Sequence, residues 1–283
     1  MPRLSAGKSA GPKTAGRSSW LVYWTLVKMQ FLSSLEYRGV VNTMFFAKLI
    51  NFGSDYVVIW LMFHSFREIN GWNFYEVFFL RALFGIVYSL SSCLFHNAVS
   101  LMPQKIAEGE FDAFLTRPVN SLFYYNFRVF SAGYVGNLLV GVSMLVFAWI
   151  NIGIGVNAVK IIFLLLAIFG GVLIQSAIYI IASVPNIWMI KGDAFTNLIL
   201  FATSGFAEYP ISIFKLPVQI ILSFFIPYAF VNFFPAQYFL SKNDFMFFPP
   251  VVQFLTPVVG IVFFLLAGRF WKTAINHYQS TGN

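Results

Sequence analysis

The polar side chains that interrupt the apolar segments are the first candidates for chemistry. Lys48, Asn51 and Asp55 are spaced by three and four residues, so they share one face of a helix. Arg81 lies in the next apolar segment, at a depth similar to that of Asp55. Because a charge that faces lipid is costly, this face should point into protein, and we predict that Asp55 and Arg81 form an intramembrane pair. One matched pair without further carboxylates favours an architectural role, with a proton or ion relay as the alternative.

The residue types that catalysis needs do not cluster. His64, His96 and His277 lie near predicted membrane edges and far apart in the sequence, which argues against a metal triad or a histidine relay. The single cysteine, Cys93, allows neither an internal disulfide nor a metal site built on several cysteines. Residues 7–9 (Gly-Lys-Ser) resemble the end of a phosphate-binding loop, but the earlier glycine and the preceding strand are missing. The sequence therefore predicts no enzyme activity, no catalytic residues, no metal and no cofactor on this chain.

Composition places the chain in the membrane class. Hydrophobic residues make up 59% of the 283 residues and charged residues only 10%, which is far from the balance of a globular protein. The net charge of +8 is assigned to cytoplasmic loops and tails rather than to a nucleic-acid surface, so no nucleic-acid partner is expected.

Apolar stretches long enough to cross about 30 Å of hydrocarbon recur along the chain. We predict an all-α polytopic membrane protein with six transmembrane helices, an amino-terminal interfacial elbow helix, and a re-entrant or outer-face helical hairpin before the last span. The predicted domains are a disordered basic tail (1–19), the elbow (20–39), a transmembrane domain (40–268) and a cytoplasmic tail (269–283). The predicted spans are about 40–64, 74–101, 122–150, 158–184, 188–206 and 251–268.

Prolines and basic residues decide the predicted topology. Residues 211–240 are apolar but are broken by several prolines, so we predict a hairpin there (211–240) that does not cross the membrane and is covered by other protein. Both termini are then cytoplasmic, and most Lys and Arg residues lie inside, as the positive-inside rule requires. The basic residues left outside are Arg67, Lys215 and Lys242.

A charged stretch at 102–119 interrupts the apolar chain between the second and third spans. Pro103 suits the first turn of a helix, and Pro118 would end it. We predict a cytoplasmic amphipathic helix over 103–117, with acidic residues on one side. Its apolar side would carry Ile106, Phe111, Phe114 and Leu115.

Two motifs resemble a known family. Residues 106–118 (IAEGEFDAFLTRP) resemble a pattern in which an Ile, a Gly-Glu and an Asp precede Leu-x-Arg-Pro. Residues 209–210 (Tyr-Pro) and 226–236 (IPYAFVNFFPA) resemble an outer-face segment of the same family. Together with the predicted spans, the chain over roughly residues 36–272 resembles an ABC-2 type exporter permease of the ABC-2 family transporter subgroup.

The resemblance implies an export permease in the bacterial cytoplasmic (inner) membrane. It implies that the helix at 103–117 is a coupling helix that binds a groove of a separate ATP-binding subunit, present in two copies, which would carry ATP and Mg²⁺. The second permease would be identical or paralogous, and membrane lipid would surround the pair. The alternatives are an ATP-independent secondary transporter or a membrane scaffold subunit, and a helix that lies on the membrane surface without a partner. The residues implied in ATPase coupling are Ile106, Glu108, Glu110, Phe111, Asp112, Phe114 and Arg117.

The resemblance further implies transport by alternating access, in which closure of the ATPase pair on ATP moves the spans. It fixes no substrate. An aromatic-rich interior favours something amphipathic, because 20% of the residues are Phe, Trp or Tyr.

Overall fold

The computed structural model describes residues 21–29, 32, 38–116, 119–188, 196–198, 200 and 205–278. Within these residues the chain is helical and contains no strand. The α-helices with defined bounds are α1 (Arg38–Ser65), α2 (Phe74–Ala107), α3 (Glu110–Leu115), α4 (Ser121–Arg128), α5 (Val135–Ile152), α6 (Ala158–Ser183), α7 (Pro185–Trp188), α8 (Leu216–Ile220), α9 (Phe233–Leu240) and α10 (Thr256–Asn276). Short 3₁₀ turns lie at Ala132–Tyr134, Gly205–Glu208, Ile211–Ile213, Tyr228–Phe230 and Pro250–Phe254.

Local capping explains where the long helices begin. The Asn73 side chain accepts a hydrogen bond from the Glu76 amide at 3.1 Å, and the Glu76 carboxylate accepts one from the Asn73 amide at 2.8 Å. This reciprocal arrangement satisfies two amides that a helix start leaves unpaired, so α2 begins at Phe74. Asn157 caps α6 by one hydrogen bond, which its side chain accepts from the Lys160 amide at 2.7 Å.

Membrane spans are recognised by helix length and hydropathy. Among the described residues, α2, α5, α10 and the helix running from Ala158 to Trp188 are long and apolar enough to cross a membrane. A fifth candidate is the bent pair formed by Leu216–Phe225 and Tyr228–Leu240, whose halves meet at 76°. The predicted count of six and the elbow helix are not confirmed. The predicted fifth span, 188–206, lies largely outside the described residues, and of the elbow only 21–29, 32 and 38–39 are described.

The predicted third span, 122–150, is broken in the structure. Its first part is α4, its second part is α5, and between them the Ser131 amide donates to the Cys93 carbonyl of α2 at 2.9 Å rather than to its own helix. This bond to a neighbouring helix satisfies the backbone amide although the helical hydrogen-bond pattern is interrupted. No local sequence signal predicts the interruption.

The packing centres on α2, which is buried along most of its length and contacts α5 and α6. On the far side of α6 lies α10, and the two helices approach so closely that only glycine fits at their crossing. A Cβ atom on Gly170 would lie 2.6 Å from the carbonyl oxygen of Thr256, and one on Gly260 would overlap the carbonyl oxygen of Gly170. Such backbone-to-backbone contact is the usual role of small residues between membrane helices.

The predicted hairpin at 211–240 is bent, and its two arms differ in burial. The first arm, α8 with the π-helical turn Ile221–Phe225, is largely exposed, whereas the second arm is buried. Asn232 fixes the buried arm by donating to the carbonyl of Leu80 at 3.2 Å and to that of Ala207 at 2.6 Å. Protein therefore covers the broken backbone of the second arm.

Candidate transport and coupling sites

A buried ion-pair cluster joins α1 to α2. The Arg81 Nη2 atom donates to Asp55 Oδ2, so the structure brings the two predicted partners together. The same Nη2 atom lies 3.6 Å from Glu208 Oε1, a partner that the sequence analysis missed. Arg81 is only 2% exposed, whereas the Asp55 side chain is 34% exposed. The guanidinium is therefore the interior end of the cluster, and the aspartate reaches its surface.

Aromatic rings surround the guanidinium on its remaining sides. The Arg81 Cζ atom lies 4.4 Å from the ring centroid of Phe52, 5.5 Å from that of Tyr56 and 5.8 Å from that of Phe84. Cations over ring faces are stabilised by the ring quadrupole, and more so where water is excluded. Phe52 lies three residues before Asp55 and four before Tyr56, so helical spacing places Phe52 on the face of either residue and the sequence carried a partial signal for this cage.

The cluster lines a cleft of about 340 Å³ at the junction of α1, α2 and α5. The predicted polar residue Asn51 lines the same cleft, together with His96 and Asn137. The cleft thus combines two carboxylates and one guanidinium with amide and aromatic groups, a lining suited to the polar part of an amphipathic molecule. Lys48 lies in α1, but its side chain is outside the described part of the structure.

The segment predicted as one helix over 103–117 is divided in two. Helix α2 continues through Pro103 to Ala107, and the short helix α3 begins at Glu110. The prediction that a helix begins at Pro103 is wrong, because α2 runs through this proline. A proline inside a helix removes one hydrogen bond but does not have to end the helix. Gly109 makes the break, because its φ of 71° is left-handed and favours glycine. The glycine between two glutamates is the sequence signal for this helix break.

The apolar side chains of this segment face the chain's own core. Phe111 is 0% exposed, and its ring centroid lies 5.7 Å from that of Tyr125, 6.3 Å from that of Trp271 and 5.4 Å from that of Tyr278. Phe114 is buried against the same Tyr125 ring. These side chains, and the buried Ile106, are not available to fill a partner's groove, contrary to the expectation from the sequence. Helix α4 and the end of α10 supply the groove instead.

The surface that remains is acidic. Glu108 and Glu110 are exposed, and the Lys105 Nζ atom lies 2.7 Å from Glu110 Oε2 and 3.7 Å from Glu108 Oε2. This lysine ties the end of α2 to the start of α3 across the glycine break. Arg117 lies outside the described residues.

Asp112 faces the other way, toward the carboxyl end of the chain. Its carboxylate lies beside the hydroxyl of Tyr278, and burial together with this carboxylate raises the pKa of Tyr278 to about 12. The phenol therefore stays protonated at physiological pH and can serve as a donor beside the carboxylate.

Comparison with protein families decides the identity of the chain. A model of the ABC-2 family transporter protein matches residues 49–282, which is most of the chain and includes the cleft residues and the segment around Gly109. The chain belongs to the ABC-2 transporter family. Searches of curated proteins and of solved structures each found no match.

ABC-2 family membership identifies the chain as the membrane component of an ABC transporter, a transport subunit that generally works with an ATP-binding subunit. The cleft that holds Asp55, Arg81 and Glu208 and the acidic surface around Gly109 are two regions of this ABC-2 permease with distinct chemistry. The roles of Asp55, Arg81, Lys48 and Asn51 in transport, and of the residues of 106–117 in coupling, stay predictions.

Proposed function

We propose that this ABC-2 permease is the transmembrane subunit of an ATP-driven exporter, which moves an amphipathic substrate by alternating access. ATP and Mg²⁺ would be bound by two copies of a separate ATP-binding subunit. A second permease, identical or paralogous, would complete the path. The family match over residues 49–282 is the observation that carries this proposal.

The coupling contact is assigned to the acidic surface around Gly109. Glu108 and Glu110 are exposed, whereas the apolar residues of the segment anchor it to the rest of the chain. An anchored segment with a charged outer face can recognise a partner by charge complementarity, which sets orientation and register. The anchor would then pass movement of the partner to α4 and α10.

The substrate path is assigned to the cleft that holds Asp55, Arg81 and Glu208. Ionisable groups within membrane segments commonly mark substrate pathways, and this cleft has the polar and aromatic lining that an amphipathic molecule needs. The polar face of α1 would line one wall of the path between two permeases.

The proposed location is the bacterial inner membrane, with both termini in the cytoplasm. The excess of Lys and Arg in the tails and in the loops predicted to be inside supports this orientation. Four of the described helices are long and apolar enough to be spans, and they overlap four of the six proposed spans. The bent pair at 211–240 would be the outer-face or re-entrant element.

Charge reversal on the acidic surface is expected to release the ATP-binding subunit. The full chain is expressed with its native genomic neighbours, and the amount of ATP-binding subunit that co-purifies is compared among Glu108→Lys, Glu110→Lys and the parent. We expect recovery to fall about tenfold, which corresponds to about 1.4 kcal/mol of binding free energy. Glu68→Lys is the matched control, because Glu68 is also exposed but lies at the opposite end of α2, before its start.

Two results would contradict the proposal. Purification of a lone chain that transports without ATP would favour a secondary transporter. If Glu108→Lys, Glu110→Lys and Glu68→Lys all recover as much ATP-binding subunit as the parent, the acidic surface is not the contact.

A further inference from the structure

A second cleft, of about 480 Å³, lies between the start of α4 and the end of α10. Arg269 and Lys272 lie three residues apart on α10, so they project from the same side of the helix. Ser121 and Trp271 lie on the inner wall, where the Trp271 Nε1 atom is 3.4 Å from Ser121 Oγ. None of the described residues that line this cleft is acidic.

The two cations are exposed and are available to an external anion. Across the described ranges, neither Arg269 nor Lys272 makes an ion pair with a carboxylate. The amides at the start of α4 are already used, because Asn120 Oδ1 accepts from Leu122 at 3.0 Å and from Phe123 at 3.4 Å. The charge that the cleft offers therefore comes from the two side chains and not from the helix terminus.

The cleft continues into an apolar surface. Phe264 and Leu265 line it on α10, and Phe123 lines it on α4. Along α10 toward its amino end, a row of exposed apolar side chains leads away from the two cations: Val258, Ile261, Val262, Leu265 and Leu266. The cleft thus has cationic groups at one end, and an apolar strip runs from them along α10. This arrangement matches an amphiphile with an anionic head and acyl chains.

A tyrosine beside the cleft is typical of the level of lipid headgroups. The ring of Tyr23, in the helical stretch 21–29, stacks on Phe127 at a centroid distance of 5.3 Å and lies 6.1 Å from the ring of Phe123. Tyrosine and tryptophan concentrate at the membrane–water boundary, and basic pockets between membrane helices at that level suit acidic headgroups.

We propose that the cleft between α4 and α10 binds an anionic phospholipid, with the headgroup phosphate held by Arg269 and Lys272 and an acyl chain along the apolar face of α10. A soluble phosphate compound would use the cations but not the apolar strip. The inference needs only that α10 lies in a bilayer, so it does not depend on an ATP-binding partner.

Native mass spectrometry of the full chain, titrated in detergent with dioleoylphosphatidylglycerol or dioleoylphosphatidylcholine, tests this assignment. The parent should bind the anionic lipid preferentially. Arg269→Gln with Lys272→Gln should weaken phosphatidylglycerol binding by about tenfold or more, since both cations that hold the headgroup phosphate would be lost. Arg269→Lys with Lys272→Arg should retain binding, which separates loss of charge from loss of fold.

The matched control is Arg67→Gln with Lys215→Gln, which removes the same charge from exposed positions outside the cleft and should leave binding unchanged. Three results would overturn the inference. They are equal binding of the two lipids by the parent, unchanged phosphatidylglycerol binding after neutralisation of Arg269 and Lys272, and displacement of the lipid by inorganic phosphate at equal concentration.

Discussion

Replacing Arg81 by methionine is expected to destabilise the protein by about 3 kcal/mol, because two partly buried carboxylates would lose the buried cation that faces them both. Asp55 and Glu208 both face the guanidinium, and the nearby rings of Phe52 and Tyr56 cannot neutralise a negative charge. The measurement is thermal unfolding in detergent of purified Arg81→Met against the parent. A large drop in the unfolding temperature and in the yield of monodisperse protein is the expected result.

A compensating variant separates charge from packing. Combining Arg81→Met with Asp55→Asn and Glu208→Gln removes all three charges at similar volume, and we expect most of the lost stability to return, because no uncompensated charge is then left in the cluster. Lys215→Met, at an exposed cation, is the control for loss of charge alone. An Arg81→Met variant as stable as the parent would show that the cluster is not what holds α1 against α2.

Adding one methyl group at Gly260 is the second change with a large expected effect. A Cβ atom there would overlap the carbonyl oxygen of Gly170, and backbone atoms cannot rotate away as a side chain can. We expect Gly260→Ala to force α10 away from α6 and to lower the free energy of unfolding by about 1–3 kcal/mol, or more. Gly170→Ala should behave alike, because its Cβ would lie 2.6 Å from the carbonyl oxygen of Thr256.

Gly268→Ala is the control in the same helix. Nothing lies within 4 Å of a Cβ atom at Gly268, so this change should be neutral or should stabilise α10 slightly through higher helix propensity. Thermal unfolding of the three alanine variants in one detergent provides the comparison. If Gly260→Ala and Gly268→Ala have equal unfolding temperatures, the close crossing of α6 and α10 is wrong.

Helix positions could be predicted where the signal is local. The prediction placed starts at 74 and 158, and the structure has α2 beginning at Phe74 and α6 at Ala158, since Asn73 and Asn157 cap them. The Asp55–Arg81 contact could also be expected, because two opposite charges at equal depth in neighbouring helices have few other ways to avoid lipid.

Long-range contacts could not be predicted in this way. Glu208 is distant in sequence from Arg81, and no periodicity links them. The amphipathic pattern around Phe111 indicated an apolar face, and we expected a partner's groove to cover it. A pattern does not say what covers such a face, and in the structure α4 and α10 of the same chain cover it. The break between α4 and α5 depends on a hydrogen bond to the Cys93 carbonyl of another helix. The sequence of 122–150 alone cannot predict a bond to a different segment.

The packing of Phe111 connects α3 directly to α10. Its ring contacts Trp271 of α10, and α10 in turn touches α6 backbone to backbone at Gly170 and Gly260. Because packed backbone leaves little room to deform at that crossing, we expect a displacement of α3 to move α10 and α6 together. Since α6 also packs against α2, that displacement would reach the helix that carries Arg81.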